Sequence, residues 1–318
     1  MMKTRETMAV DYSPALRRIP ADCAGMRLDA ALARLFPEHS RNRLQVWLKE
    51  GQISVDGLAA GAKRKVLGGE AVRLLAEASA AVGEHQAEAI ALNVIYEDAQ
   101  LLVVDKPAGL VVHPGSGNRS GTMMNALLHH APALAEMQRA GIVHRLDKDT
   151  SGLLVVAKTL VAQTDLVRQL QARTVKRHYL ALAHGELTSA GTVDAPIGRH
   201  PVQRTKMAIA KRGGSGRDAR THYAPRERFH AATLIECRLE TGRTHQIRVH
   251  MASIGYPLVG DPVYGKRKSA DPVLDAFPRQ ALHAWRLALI HPVTGAEMAW
   301  ESALPEDFSS LLEVCRHG

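Results

Sequence analysis

The chain has 318 residues, 46% hydrophobic and 23% charged, and its 41 Lys and Arg against 32 Asp and Glu give a formal net charge of +9. That usage fits about two globular domains and excludes a disordered or collagen-like chain. No apolar run approaches the ~18 residues of a membrane span, the N-terminus lacks a secretory h-region, and Cys23, Cys237 and Cys315 are too scattered for a disulfide framework, so we expect a basic cytoplasmic protein without membrane contact.

Residues 1–25 read as a disordered N-terminal tail. Leu28, Ala31, Leu32 and Leu35 then recur at helical spacing up to Pro37, and Ser40 can cap a second helix through Glu50 with Leu44, Trp47 and Leu48 on one face. Ile53 and Val55 alternate, Asp56-Gly57 signals a turn, and Val66 to Leu75 reads as a strand. This helix–helix–hairpin unit spans 26–78, followed by a small, polar linker over 79–91 and a second domain over 92–318. There, LLVVDKP and GLLVVAK are strand-like, GTMMNALLHH is helical, Leu160–Arg173 carries one apolar stripe, and Val175–His184 and Thr233–Leu239 read as strands. Thr244 to Ile254 reads as a helix capped by Thr244, with Ile247, Met251 and Ile254 inward and Arg248 outward. Strands and helices do not alternate strictly, which predicts an α+β domain: a mixed, mostly antiparallel sheet flanked by helices.

The excess charge is concentrated. Nine basic residues against two acidic ones lie between Arg199 and Arg228, around the glycine-rich KRGGSGR, which reads as a mobile basic loop; residues 26–75 carry a further +4. Such a distribution suits contact with a phosphate backbone. Two other clusters are chemically dense. In Gly141-Ile-Val-His-Arg-Leu-Asp-Lys-Asp-Thr-Ser-Gly152 an acidic turn precedes a strand, which suits a nucleophilic or basic carboxylate and equally an ordinary solvated turn. In Thr241-Gly-Arg-Thr-His-Gln-Ile-Arg-Val-His250 a guanidinium could face a carboxylate or phosphate, or simply solvent. His245 and His250 are spaced so that neither a helix nor a strand brings them together, and no nucleotide phosphate loop appears, so no metal or cofactor is expected.

GIVHRLDKDTSGLLVVAKT, ETGRTHQIRVHMASIGYPLVGDPVYG, VVDKPAGLVVHPG and QALHAWRLALIHPVTG together resemble the signature segments of the RluA-type pseudouridine synthases, and the unit at 26–78 resembles an S4 RNA-binding domain. The resemblance covers nearly everything beyond the first two dozen residues. It implies a pseudouridine synthase fold, no cofactor, and conversion of specific uridines in 23S ribosomal RNA of the large subunit, in the helix 69 stem-loop of a pre-50S or 50S particle, by a monomer. It also implies catalytic roles for Asp147 of HRLD, Tyr179 of the K-x-x-Y segment and Arg248 of HQIR, with Arg145 helping to displace the target base. For RNA contact it leaves His144, Arg145, Arg243, Arg204 and Lys206 in the second domain, and Arg41, Arg43, Lys63, Arg64 and Lys65 in the first.

These residue types suit the chemistry. Pseudouridine formation detaches uracil from ribose C1′, turns it and rejoins it through C5, with no net gain or loss of atoms. A carboxylate can attack the sugar or ring or remove a proton, an arginine beside it would keep it anionic and fixed, and a tyrosine offers a flat face to the loose base. The residues also admit two rivals: a glycosidic-bond hydrolase using Asp147 and Asp149 on one strand face, and a non-catalytic RNA-binding ribosome-assembly factor.

Overall fold

The computed structural model describes residues 15–37, 41–75, 86–115, 117–203, 205–211, 213–214, 216–265 and 271–317, without the side chains of 15, 42 and 43. The chain divides into two compact units, Met1–Val82 and Gly83–Gly318.

In the first unit, helices α1 (Leu28–Leu35) and α2 (Arg41–Lys49) accompany a four-stranded antiparallel sheet of β1 (Ala15–Arg18), β2 (Ile53–Val55), β3 (Leu58–Ala59) and β4 (Ala71–Leu74) in the order β1-β4-β2-β3. Leu28, Ala31, Leu32, Leu44, Trp47 and Leu48 form its core with the strands, as their spacing predicts; Ser40, the expected cap of α2, lies outside the described residues. Asp56 and Gly57 both take positive φ, the two-residue turn the dipeptide favours. Two boundaries differ from expectation. Ala15 to Gly25, predicted as part of a tail, are structured: β1 pairs with β4, and Ile19 and Cys23 plug the core; Leu16, Arg17 and Arg18 are exposed, so the strand carries no alternation to read. The strand predicted over Val66–Leu75 begins only at Ala71, since Gly68 and Gly69 are left-handed and the Glu70 carboxylate accepts the Leu67 and Gly68 N–H groups in a tight turn.

In the second unit, β5 (Asn93–Glu97), β6 (Leu101–Lys106), β7 (Ser151–Ala157), β8 (Lys176–His184) and β9 (Gly191–Asp194) join β10 (Ile197–Arg199), β11 (Met207–Ile209), β12 (Arg220–Arg228), β13 (Ala232–Leu239), β14 (Leu282–Ile290) and β15 (Glu297–Glu301). Nine of these form one sheet in the order β5-β6-β7-β14-β8-β13-β12-β9, with β15 also on β14; only β7–β14 is parallel. The strands β10 and β11 make a separate hairpin. The helices are α3 (Met123–His130), α4 (Leu160–Gln171), α5 (Gln246–Ser253), α6 (Pro272–Ala276) and α7 (Glu306–His317). This is the mixed, mostly antiparallel α+β architecture the sequence predicts. β6 and β7 are buried along almost their whole length, which explains their unbroken apolar runs. Thr122 and Asn125 form a capping box on α3, and Thr159 caps α4. The described part of the linker expected over 79–91 is tied to α3: Gln86 and Glu88 bond to Asn125, and the Glu88 carboxylate accepts the Gly121 N–H.

Gly152 sets how closely two central strands approach. Its φ is +111°, and a Cβ there would run into the Ala284 carbonyl, so glycine lets β7 lie close against β14 just after the HRLD segment.

Candidate active site

The acidic cluster is the turn expected before the strand. The Thr150 N–H donates to the Asp147 carbonyl, and β7 begins at Ser151. The strand-face pairing of Asp147 with Asp149 that a hydrolase reading requires is therefore absent. Leu146 is buried and anchors the turn, leaving Arg145 exposed and Asp147 half-buried. Lys106, at the end of β6, underlies it: its ammonium donates to the carbonyls of Pro107, Leu110 and Lys148. Burial brings the Lys106 pKa down to about 7 against the pull of Asp149 and Asp147. Arg279 holds the other side, donating to the Asp149 carbonyl while Asp307 grips its guanidinium. Replacing Lys106 by Met takes the ammonium donor from the Pro107 and Leu110 carbonyls, while the Lys148 carbonyl keeps the Gly109 N–H. We expect about 1–3 kcal/mol of destabilisation for each one left without a donor, read by chemical denaturation.

Arg248 does not face solvent. Residues Gln246–Met251 of α5 are buried, because Val249 packs against Ile197 and Ala219 on the side opposite Ile247 and Met251. The Arg248 side chain is 5% exposed between two carboxylates. Nη1 donates to Asp147 Oδ2 at 3.0 Å, while Nε and Nη2 grip Asp261 at 2.7 and 2.9 Å. Burial pushes the Asp261 carboxyl up, but Arg248 and the N–H groups of Val263 and Tyr264 more than offset it, so its pKa lies below the usual range. Asp261 thus locks Arg248, and Arg248 orients Asp147. Asp147 Oδ1 is left facing His245 Nε2 at 3.9 Å.

The helix start also differs from expectation. Thr244 is not the cap; His245 holds that position with φ 55° and ψ 25°. The loop before it is folded by Gln246, whose side chain accepts from Thr241 and the Arg243 N–H and donates to Arg220 and Thr221.

Tyr179 is 6% exposed on β8. Burial first, with the Asp147 charge adding and Arg177 opposing, pushes its pKa up to about 12, so the phenol stays neutral. The structure therefore brings Asp147, Arg248 and Tyr179 into one site. Sequence reading missed Lys106, Asp261, His245 and Tyr264 as its supports; only the Asp261-Pro262 turn chemistry carried any signal.

The RNA-contact candidates divide. Arg145, Lys63, Arg64 and Lys65 are exposed. Arg41 is half committed to the buried Asp29, at 2.7 Å. Lys206 is half-buried, and Arg243 spends its Nε on the Asp218 carbonyl. The side chain of Arg43 and the whole of Arg204 lie outside the described residues. His144 is half-buried: its Nε2 accepts the Val155 N–H, and burial, with Arg177 nearby, lowers its pKa to about 3, so it is a neutral acceptor rather than a cationic contact. The charge of 199–228 is also partly spent, on acids outside that segment: Arg220 pairs with Asp194 and Glu240, Arg226 with Glu236 and Arg228 with Glu186. His250 bonds to Thr221 and the Ala195 carbonyl, an ordinary satisfied core histidine. Among the described residues no group of three or more His, Cys, Asp or Glu could hold a metal, and no helix is long and apolar enough to cross a membrane.

Comparison with known proteins identifies the class as an RNA-modifying synthase. Residues 100–253 match the RNA pseudouridylate synthase family and residues 26–72 the S4 domain. The chain is 59% identical to the ribosomal large subunit pseudouridine synthase D of Nitrosomonas europaea, over 94% of this chain and 87% of that protein. Identity to the Pseudomonas aeruginosa protein of the same name is 56%, over 94% of each chain. The human RNA pseudouridylate synthase domain containing 4 superposes with a TM-score of 0.58 at 27% identity, covering 70% of this chain and 93% of that one. The chain belongs to the RluA-type family of RNA pseudouridine synthases and carries an S4 domain near its N-terminus. It is an isomerase acting on uridine in RNA.

Proposed function

We propose that this synthase modifies uridines of large-subunit 23S ribosomal RNA, in the helix 69 stem-loop, acting as a cytoplasmic monomer on a pre-50S or 50S particle. The names of its relatives support the ribosomal substrate, and the signature segments support the stem-loop. Asp147 is the nucleophile or base. The observation that carries this role is its geometry: Arg248 fixes one carboxylate oxygen and leaves the other, 3.9 Å from His245 Nε2, on a side chain that is still 15% exposed.

The target base must leave its stack, at a cost of a few kcal/mol. Phosphate contacts from the S4 domain and the second unit offset that cost, and the exposed Arg145 occupies the vacated stack. Tyr179 stays a neutral phenol against which the detached uracil can turn. The domain reading is thus an S4 unit that docks RNA and a second unit that performs the isomerisation.

Affinity for the stem-loop should fall by about 10³-fold between roughly 50 and 200 mM salt; a flat response in a filter-binding titration would rule out phosphate contacts as the source of binding. The substrate is tested by mapping pseudouridines in ribosomal RNA from cells lacking the gene. Helix 69 sites should disappear and return with the intact gene but not with Asp147→Asn. Unchanged helix 69 sites would refute the substrate assignment.

A further inference from the structure

His245 takes no part in the chemistry assigned to Asp147, Arg248 and Tyr179, yet its Nε2 lies 3.9 Å from the Asp147 oxygen that Arg248 does not hold. It is held there at a conformational cost. Its φ of 55° is a left-handed backbone, uncommon outside glycine and kept only where the surroundings enforce it.

Its ring is fixed from the far side by Tyr264. Tyr264 Oη accepts the Met207 backbone N–H at 2.8 Å, and His245 Nδ1 lies 2.9 Å from the same oxygen. The two rings pack edge to face at 5.6 Å, and Arg248 stacks on Tyr264 at 5.2 Å. Tyr264 is itself placed by Asp261, which accepts its backbone N–H.

This arrangement favours one tautomer. Met207 can only donate, so the Tyr264 hydroxyl has its own hydrogen to give, and Nδ1 is within reach to accept it. Nε2 then carries the imidazole proton and presents it to Asp147 Oδ1. The opposite tautomer would turn the Nε2 lone pair on a carboxylate oxygen and leave the phenol hydrogen without this acceptor. Burial and the charges of Arg248 and Arg145 disfavour the imidazolium, against Asp147 and Asp261, which favour it.

We propose that His245 is a positioning residue for the reaction: Tyr264 holds it in the Nε2–H form, and it steadies the free oxygen of Asp147 as the 3.9 Å gap closes around bound uridine. This rests on the reading of Asp147 as the reacting carboxylate. Three side chains in sequence, Tyr264 to His245 to Asp147, then join the amide of the β10–β11 hairpin to the reacting group.

Two substitutions separate this role from a purely structural one. Gln keeps an N–H donor where Nε2 sits, whereas Asn keeps a polar group only near the Nδ1 position. Asn, however, adopts left-handed backbone far more readily than Gln. A residue needed only for the turn would favour His245→Asn, and a residue needed for its Nε2–H would favour His245→Gln. In single-turnover assays at saturating stem-loop RNA, we expect His245→Gln to keep a rate within about tenfold of the parent and His245→Asn to lose about a hundredfold, both with unchanged RNA affinity. Tyr264→Phe, which keeps the ring contacts and removes only the hydroxyl, should also slow the single turnover at unchanged affinity. The ¹⁵N spectrum of the imidazole, taken above neutral pH, should show one Nε2–H tautomer in the parent and a mixture in Tyr264→Phe. An Asn variant as fast as the Gln variant, or a tautomer unchanged by Tyr264→Phe, would overturn the proposal. The spectrum needs no turnover, so it decides the point even if the parent makes no pseudouridine on this RNA, a result that would instead strike at the proposed substrate.

Discussion

Asp147→Asn should lower pseudouridine formation by about 10⁴-fold or more while leaving RNA affinity unchanged. The substitution is isosteric. The Asn carbonyl can still accept from Arg248 Nη1, and Asp261 still holds the rest of the guanidinium, so α5 and the HRLD turn keep their places. What disappears is a carboxylate able to attack carbon or take a proton. The exposed basic residues of the S4 domain are untouched, so binding should survive. Single-turnover nucleoside analysis paired with a filter-binding isotherm reads both quantities. A variant that still turns over at a rate comparable to the parent would remove Asp147 from the chemistry.

Arg248→Met should be the most destabilising change at the site, costing about 3–5 kcal/mol near neutral pH, because it leaves the fully buried Asp261 carboxylate without its cation. The cost should depend on pH, and in a direction the geometry fixes. In the parent, Asp261 titrates below its usual range, so its pair contributes stability above the unfolded carboxyl pKa of about 3.9 and loses it as pH falls through the lower folded value. In Arg248→Met burial dominates instead and the Asp261 pKa rises. The folded variant then holds its proton more tightly than the unfolded chain does, and it loses stability as pH climbs above that same unfolded value. Urea denaturation across the mildly acidic to mildly alkaline range should therefore show the gap between parent and variant widening with pH. A gap independent of pH would mean that Asp261 is not the residue left uncompensated.

Much of this molecule is legible in its sequence. Leu28, Ala31 and Leu32, the GTMMNALLHH segment, and the apolar runs of β6 and β7 are local patterns, and each forms the element predicted. The failures occur where partners come from far away. β1 has exposed side chains and exists because β4 offers it a ladder. Arg248 reads as a solvent-facing residue because α5 has an apolar stripe; its partners are Asp261, 13 positions later, and Asp147, 101 earlier. His144 reads as a basic RNA contact but is a backbone acceptor for β7. Lys106 carries no role in the sequence reading, and only the three carbonyls that converge on it show that it shapes the HRLD turn. The chemical residues are thus visible from motif and type, whereas the groups that orient them are visible only once distant segments meet.

Isomerisation requires that the uracil be detached and then rejoined without leaving the site. Its most direct test is a product balance in a single turnover: uridine consumed, pseudouridine formed and free uracil released from a labelled stem-loop RNA. Pseudouridine should equal the uridine lost, with no free uracil and no abasic position at any time. Free uracil accumulating in step with the loss of uridine would mean that the base escapes, and that Asp147 serves cleavage rather than isomerisation.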